Sequence, residues 1–201
     1  DVYKRQNENN LKKMIIERSN IYSEAKFKIN CETLSKNVIV KKILKLENYD
    51  GGIVINEINY NPDSSFDQSD TDYEFIELYN AETFSVNLYG YHFIEGLSYY
   101  FSEATIIEPA GYLILVKDAN YYPGNIEWSY GNLSNVGEMI TLVNSDGLIA
   151  SELIYDSSSP FPNQANGEGP SMELLDPILD NSIGTNWQSS LILGGTPGSP
   201  N

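Results

Sequence analysis

The acidic segment of residues 63–74 carries the most regular set of potential metal ligands in the sequence. Oxygen-bearing side chains occupy every second position from Asp63 to Thr71, and Glu74 closes a twelve-residue span. This alternation resembles the ligand spacing of a calcium-binding loop. Gln68 stands where such a loop requires glycine, so a solvated acidic loop is the alternative. The candidate calcium ligands are Asp63, Asp67, Asp70, Asp72 and Glu74.

Glu57 and Glu77 form a second candidate set, because each lies inside an apolar phrase, Ile-Asn-Glu-Ile or Phe-Ile-Glu-Leu. Two carboxyl groups about 5–10 Å apart in an open cleft could hydrolyse a glycosidic bond. A strand carboxylate more often accepts N–H bonds from a neighbouring loop. We therefore predict that these two residues are structural and that no residue is catalytic.

Aromatic side chains near predicted turns could stack on sugar rings. The candidates for glycan binding are Tyr121, Trp128 and Tyr130. Tyrosine-rich strands that pack against neighbouring strands are the alternative.

A further polar cluster, Asp176, Asp180 and Asn181, is predicted to cap turns. Trp187 beside it is predicted to fill the core.

His92 and Cys31 are the only histidine and the only cysteine. Zinc sites and activated nucleophiles draw on clusters of these residue types, so both chemistries are disfavoured. A packed strand histidine is the expected role of His92. No internal disulfide can form with one cysteine. The sequence thus predicts no certain cofactor, with calcium as the one candidate.

The charge distribution divides the chain near Asp50. Residues 1–50 hold eleven basic and seven acidic residues, a net charge of +4. Residues 51–201 hold Lys117 as their one basic residue against twenty-one acids, a net charge of −20. A surface of that charge repels phosphate, which argues against nucleic acid and anionic membranes as partners. No apolar run is long enough to insert into a membrane.

Short apolar phrases separated by Gly, Asn, Asp and Pro predict an all-β domain after residue 51. The strands are expected over residues 53–60, 73–80, 86–94, 98–101, 111–117, 126–129, 138–143, 148–155 and 171–175. The segment 144–147, Asn-Ser-Asp-Gly, predicts a hairpin turn. The apolar strand within 112–116 is expected to be buried on both faces. No long helix is expected in this part of the chain.

The order of these phrases resembles the lamin-tail domain in its bacterial extracellular form. The resemblance rests on IVINEINYNP (53–62), DYEFIELYN (72–80), GYLILVKD (111–118), NLSNVGEMITLVNSDG (132–147) and GGTPGSPN (194–201), among other phrases. It implies an immunoglobulin-like β-sandwich over residues 51–201. It also implies a non-catalytic module of an exported or cell-surface multidomain protein that binds a protein or glycan or acts as a spacer. A calcium-dependent carbohydrate-binding module is the alternative.

The resemblance has limits that the sequence itself sets. Nuclear lamins use the domain to bind chromatin, but a domain with one lysine and no arginine does not support that role. Residues 1–50 are predicted to hold an amphipathic helix and a strand, and to end an upstream domain, for which a kinase-like or hydrolase domain is the expectation. The opening DVYKRQ resembles a sequencing-adapter remnant, so we expect the protein and its signal peptide to extend upstream.

Overall fold

The computed structural model describes residues 52–63, 70–128 and 130–201 of the chain. They belong to one unit, Tyr49–Asn201. The predicted boundary near Asp50, the N-terminal helix and the strand within residues 1–50 lie outside the described residues. The same holds for the loop residues 64–69 and for Ser129.

Eleven strands build the described domain. They are β1 (Ile53–Asn59), β2 (Phe75–Asn80), β3 (Val86–Asn87), β4 (His92–Glu95), β5 (Ile106–Ile107), β6 (Tyr112–Val116), β7 (Ile126–Glu127), β8 (Gly137–Val143), β9 (Ile149–Asp156), β10 (Pro170–Leu174) and β11 (Trp187–Leu193). The helical segments among the described residues are single 3₁₀ turns at Asp70–Tyr73, Asn163–Ala165 and Gly184–Asn186. The expectation that no long helix follows residue 52 is confirmed for these residues.

The strands form two main sheets and a small one. The large sheet has the order β11-β10-β1-β2-β6-β7, the second has the order β4-β8-β9, and β3 pairs with β5. All pairs are antiparallel except β6 with β7. Apolar side chains of both main sheets share one core, including Ile55, Leu78 and Leu115 from the large sheet and Leu142 and Leu153 from the second. The domain is therefore a β-sandwich.

The predicted hairpin at 144–147 joins β8 to β9, and the structure confirms it. The amide of Asn144 donates to the carbonyl of Leu148, and Gly147 has φ 79°. The alternation of apolar and polar residues is a local signal, because strand side chains point alternately to opposite faces. Most of the predicted strands are present with ends shifted by one or two residues.

Three expectations about the strands are wrong, and two strands were not expected. The segment 86–94 is two strands, because the backbone turns at Gly90 with φ 83°. Residues 98–101 make only isolated bridges, one of them between Ser98 and Tyr130. β6 is fully buried only at Leu115 and Val116. The sequence reading also omitted β5 and β11, since neither has a run of alternating apolar and polar residues.

Candidate functional site

Three glutamates lie side by side across the outer face of the large sheet. In the antiparallel registers, Glu57 of β1 is opposite Glu173 of β10 on one side and Glu77 of β2 on the other. Residues paired in this way present their side chains on the same face. A register shift between Ile55 and Glu57 adds Asn56 to this group, and its Nδ2 donates to Oε1 of Glu77 at 2.8 Å. We call Glu173, Glu57 and Glu77 the carboxylate row.

The C-terminal residues 194–201 cross the carboxylate row, and we call them the strap. The amide of Thr196 donates to Oε1 of Glu57 at 2.9 Å, and its Oγ1 donates to Oε1 of Glu173 at 3.0 Å. The amide of Gly198 donates to Oε2 of Glu77 at 2.7 Å. Thus each of the three carboxylates accepts at least one hydrogen bond from the strap.

Other donors complete the arrangement around the row. Oγ of Ser171 donates to Oε1 of Glu57 at 2.5 Å. At the end of the strap, Nδ2 of Asn201 donates to the carbonyls of Asn56 and Leu174 at 3.2 and 2.8 Å. These contacts hold the strap at its centre and at its C-terminal end. The outer face of the sheet is covered here by the chain itself.

Burial changes the acidity of the row. Loss of solvation raises the pKa of Glu57 from 4.5 to about 7, although hydrogen bonds from Ser171 and Thr196 partly oppose the rise. The same cause raises the pKa of Glu77 to about 7, opposed by Asn56 and Gly198. Repulsion from neighbouring carboxylates adds to both shifts.

The row is closed to solvent. Glu57 and Glu77 are both 0% exposed. A glycosidase requires two carboxyls that reach a substrate and a water molecule. The alternative in which Glu57 and Glu77 act as a catalytic pair is therefore overturned. The prediction that they accept N–H bonds from a neighbouring loop is confirmed by the bonds from Thr196 and Gly198.

The candidate calcium ligands are only partly described. Asp67 and the side chain of Asp70 lie outside the described residues, while Asp63 and Asp72 are half-buried. Glu74 is buried, and its Oε2 accepts the amide of Leu133 at 2.9 Å. Within the described ranges, no three His, Cys, Asp or Glu residues form a potential metal site. The calcium set as a whole stays a prediction.

The three candidate sugar-stacking residues are in different environments. Trp128 is 2% exposed and its Nε1 donates to the carbonyl of Gly131 at 2.9 Å, so its role as a surface platform is wrong. It belongs to the core because the bulky indole has its polar atom satisfied inside. Tyr130 is 79% exposed. Tyr121 packs on Tyr73 with ring centroids 4.5 Å apart. The three residues therefore do not form a single sugar-stacking site.

The loop before β11 has the predicted turns. Carboxylate oxygens of Asp176 and Asp180 accept the amides of Ile178 and Ser182, both at 3.0 Å. Trp187 is buried, and its Nε1 donates to the carbonyl of Asn181 at 2.8 Å. The predictions that the two aspartates cap turns and that Trp187 fills the core are confirmed.

The sequence reading missed two groups of exposed apolar side chains, one at each end of β11. Seven large apolar side chains of this region are exposed: Leu175, Ile178, Leu179, Ile183, Leu191, Ile192 and Leu193. The first four lie in the loop that enters β11, and the last three lie at its end. The available signal was the run Leu-Ile-Leu directly before Gly194 and Gly195, which has no polar alternation. We call this set the β11 surface.

The sequence matches the Lamin Tail Domain family over residues 47–157. The chain belongs to the lamin tail domain family. Its immunoglobulin-like β-sandwich fold is thereby confirmed. The lamin tail domain is a non-catalytic domain family.

The family match ends before β10 and β11 begin, yet the structure continues through both. β10 lies between β1 and β11 in the large sheet, so residues beyond the match complete that sheet. A search of curated proteins finds no match to this chain. Within the described ranges, no helix has the length and apolar character needed to cross a membrane.

Proposed function

We propose that this lamin tail domain is a non-catalytic interaction module of a bacterial exported or cell-surface multidomain protein, and that it binds a protein partner. The observation that carries the proposal is the β11 surface, where Leu191 is 99% exposed. Isolated exposed apolar residues are ordinary, but Leu191, Ile192 and Leu193 are exposed consecutively, and adjoining exposed apolar residues mark interaction sites. The net charge of −20 on residues 51–201 would keep such a surface soluble.

A photo-cross-linking amino acid at position 191 tests the proposal. The full-length protein would carry it on the cells that produce it, with the same group at position 130 as the control, since Tyr130 is also highly exposed. The expected result is a discrete protein adduct from position 191 and none from position 130. The substitution Leu193→Lys should remove the adduct without unfolding the domain, because the side chain is exposed.

Two results would overturn this proposal in favour of the alternatives. No adduct at position 191, together with polysaccharide retardation that Tyr121→Ala or Tyr130→Ala abolishes, would support a glycan-binding module. The paired rings of Tyr121 and Tyr73 are the observation that favours that second function. No adduct and no retardation would instead leave the domain as a structural spacer.

A further inference from the structure

β11 is the outermost strand of the large sheet. It pairs with β10, and on its other side no described strand pairs with it. An edge strand presents backbone N–H and C=O groups to which a further strand can add. Natural edges are usually protected by charged side chains, but the seven residues of β11, Trp-Gln-Ser-Ser-Leu-Ile-Leu, contain none. The edge therefore lacks charged protection, while the register shift and the bond from the amide of Ile192 to Oγ of Ser190 leave the regular part of the ladder at Trp187–Ser189.

The second sheet ends in β9, which provides a contrast. β9 carries Glu152 and Asp156, and Oγ of its Ser151 accepts the amide of Ile55 in β1 at 3.0 Å. Charges and packing against β1 thus protect that strand in the way edge strands are commonly protected. β11 lacks the charges.

The exposed apolar residues lie at both ends of β11. Leu191 and Ile192 lie within a register shift against β10, between the pairs Ser189–Met172 and Leu193–Pro170, and the irregular backbone there explains why three consecutive side chains are exposed. Leu175, Ile178, Leu179 and Ile183 lie in the loop at the opposite end. The two ends are roughly 13 Å apart, since Trp187 and Leu193 pair with Leu174 and Pro170, four residues apart in β10, and a strand rises about 3.3 Å per residue. An extended segment of about five residues would reach from one to the other.

Acidic residues accompany the apolar residues at each end. Glu168 is exposed beside Gly169, whose carbonyl accepts the amide of Gly194 just after β11. Asp176 and Asp180 are exposed in the loop at the other end. The one basic residue of residues 51–201, Lys117, donates from Nζ to the carbonyl of Gly131. The charge around β11 therefore complements a cationic ligand.

We infer that β11 is a docking edge for an extended segment of a partner protein that combines apolar residues with lysine or arginine and adds to the large sheet as a further strand. A second copy of this domain would bring another net charge of −20 to the edge, so repulsion disfavours it. Backbone hydrogen bonds would supply affinity, and the apolar residues at the two ends would set the register. The inference rests on the proposed function and specifies its partner.

The test uses the full 201-residue chain and a synthetic peptide of about twelve residues that alternates valine and lysine, a length that spans the edge. Calorimetry at about 0.15 M salt measures binding, since that ionic strength limits the Debye length to about 8 Å. The expected result is saturable binding that Leu191→Lys with Leu193→Lys weakens at least tenfold. The matched control is Ile94→Lys with Ile154→Lys, two exposed apolar residues of the second sheet, and it should change affinity less than twofold.

A second peptide separates strand addition from charge attraction. It has the same sequence, but every second backbone amide is N-methylated on the edge that would face β11, so it keeps its side chains and loses the ladder bonds. We expect it not to bind. Equal binding of both peptides, or an equal loss in the control variant, would overturn the inference.

Self-association is the remaining outcome. Sedimentation equilibrium should show a monomer. A dimer that Leu191→Lys with Leu193→Lys dissociates would overturn the cationic-segment inference and assign the edge to a second copy. The proposed function fails separately, when position 191 gives no protein adduct on cells. An adduct in which the cross-linked segment of the partner is neither extended nor cationic would overturn the docking-edge inference. The proposed function would still stand.

Discussion

At the scale of single residues, Glu57 and Glu77 are expected to make stability depend on pH. Both carboxyls have a pKa near 7 in the folded domain and 4.5 as their ordinary value, chiefly because they are buried. The folded state therefore keeps protons that the unfolded chain releases between these values. By linkage, the contribution of this pair to the free energy of unfolding is highest below pH 4.5 and falls as pH rises to about 7.

Urea denaturation across this pH range measures the effect. Glu173 is the nearest further carboxylate, and Tyr112 and Tyr122 also interact with the pair. Glu77→Gln should flatten the profile by removing one titrating group, whereas Glu103→Gln, at an exposed position, should not. If the free energy of unfolding rises with pH through this window, and does so equally in the wild type and in Glu77→Gln, the assignment of the pH dependence to Glu57 and Glu77 is contradicted.

Gly195 is expected to be irreplaceable in the strap. Its φ is 83°, and a Cβ there would overlap Oε1 of Glu57 and lie 2.5 Å from Oγ of Ser171. Gly194 has nearly the same φ, 82°, and a Cβ added to it would meet nothing within 4 Å, so it is a matched control. Gly194→Ala should cost about 1–2 kcal/mol for its backbone conformation. Gly195→Ala should cost about 1–3 kcal/mol more because it overpacks the row.

Equilibrium unfolding in urea gives both values. Equal losses for the two variants would show that the strap does not press on the carboxylate row. The difference between them isolates the contact, since backbone strain is common to both.

At the scale of elements, the turn between β8 and β9 is expected to depend on Asn144. Its Oδ1 accepts the amides of Asp146 and Leu148, each at 2.9 Å, and the residue is buried. Asn144→Ala should lower the free energy of unfolding by about 1–3 kcal/mol, because two amides lose their acceptor. Thermal or urea unfolding checks this. The neighbouring exposed Ser145→Ala should change it by less than about 0.5 kcal/mol.

Elements also differ in how far local sequence specifies them. β8 and β9 could be predicted because the alternation of residues and the turn signal agree. β11 was missed because Gln188, Ser189 and Ser190 interrupt its apolar residues, and its strand form depends on pairing with β10. Propensity alone does not decide a strand whose stability comes from a neighbour.

At the scale of the whole molecule, the response of thermal stability to calcium tests the predicted calcium set. Glu74, the closing residue of the predicted calcium set, is buried and accepts the amide of Leu133. Calorimetric melting of the full chain with calcium, against magnesium at equal ionic strength, measures the response. A calcium-specific stabilisation near about 2.7 kcal/mol at a hundredfold excess over Kd, abolished by Asp67→Ala, would restore the calcium-dependent alternative.

The sequence by itself determined the all-β class, most strand positions, the hairpin at residues 144–147 and the resemblance to the lamin-tail domain. These depend on alternation and turn chemistry, which act between residues close in the chain. Only the tertiary structure decided that Glu57, Glu77 and Glu173 are neighbours beneath the strap, that Trp128 is buried, and that the β11 surface is exposed. Strand order and register set those neighbours, and Glu57 and Thr196 meet across 139 positions of sequence, a separation over which no local pattern acts.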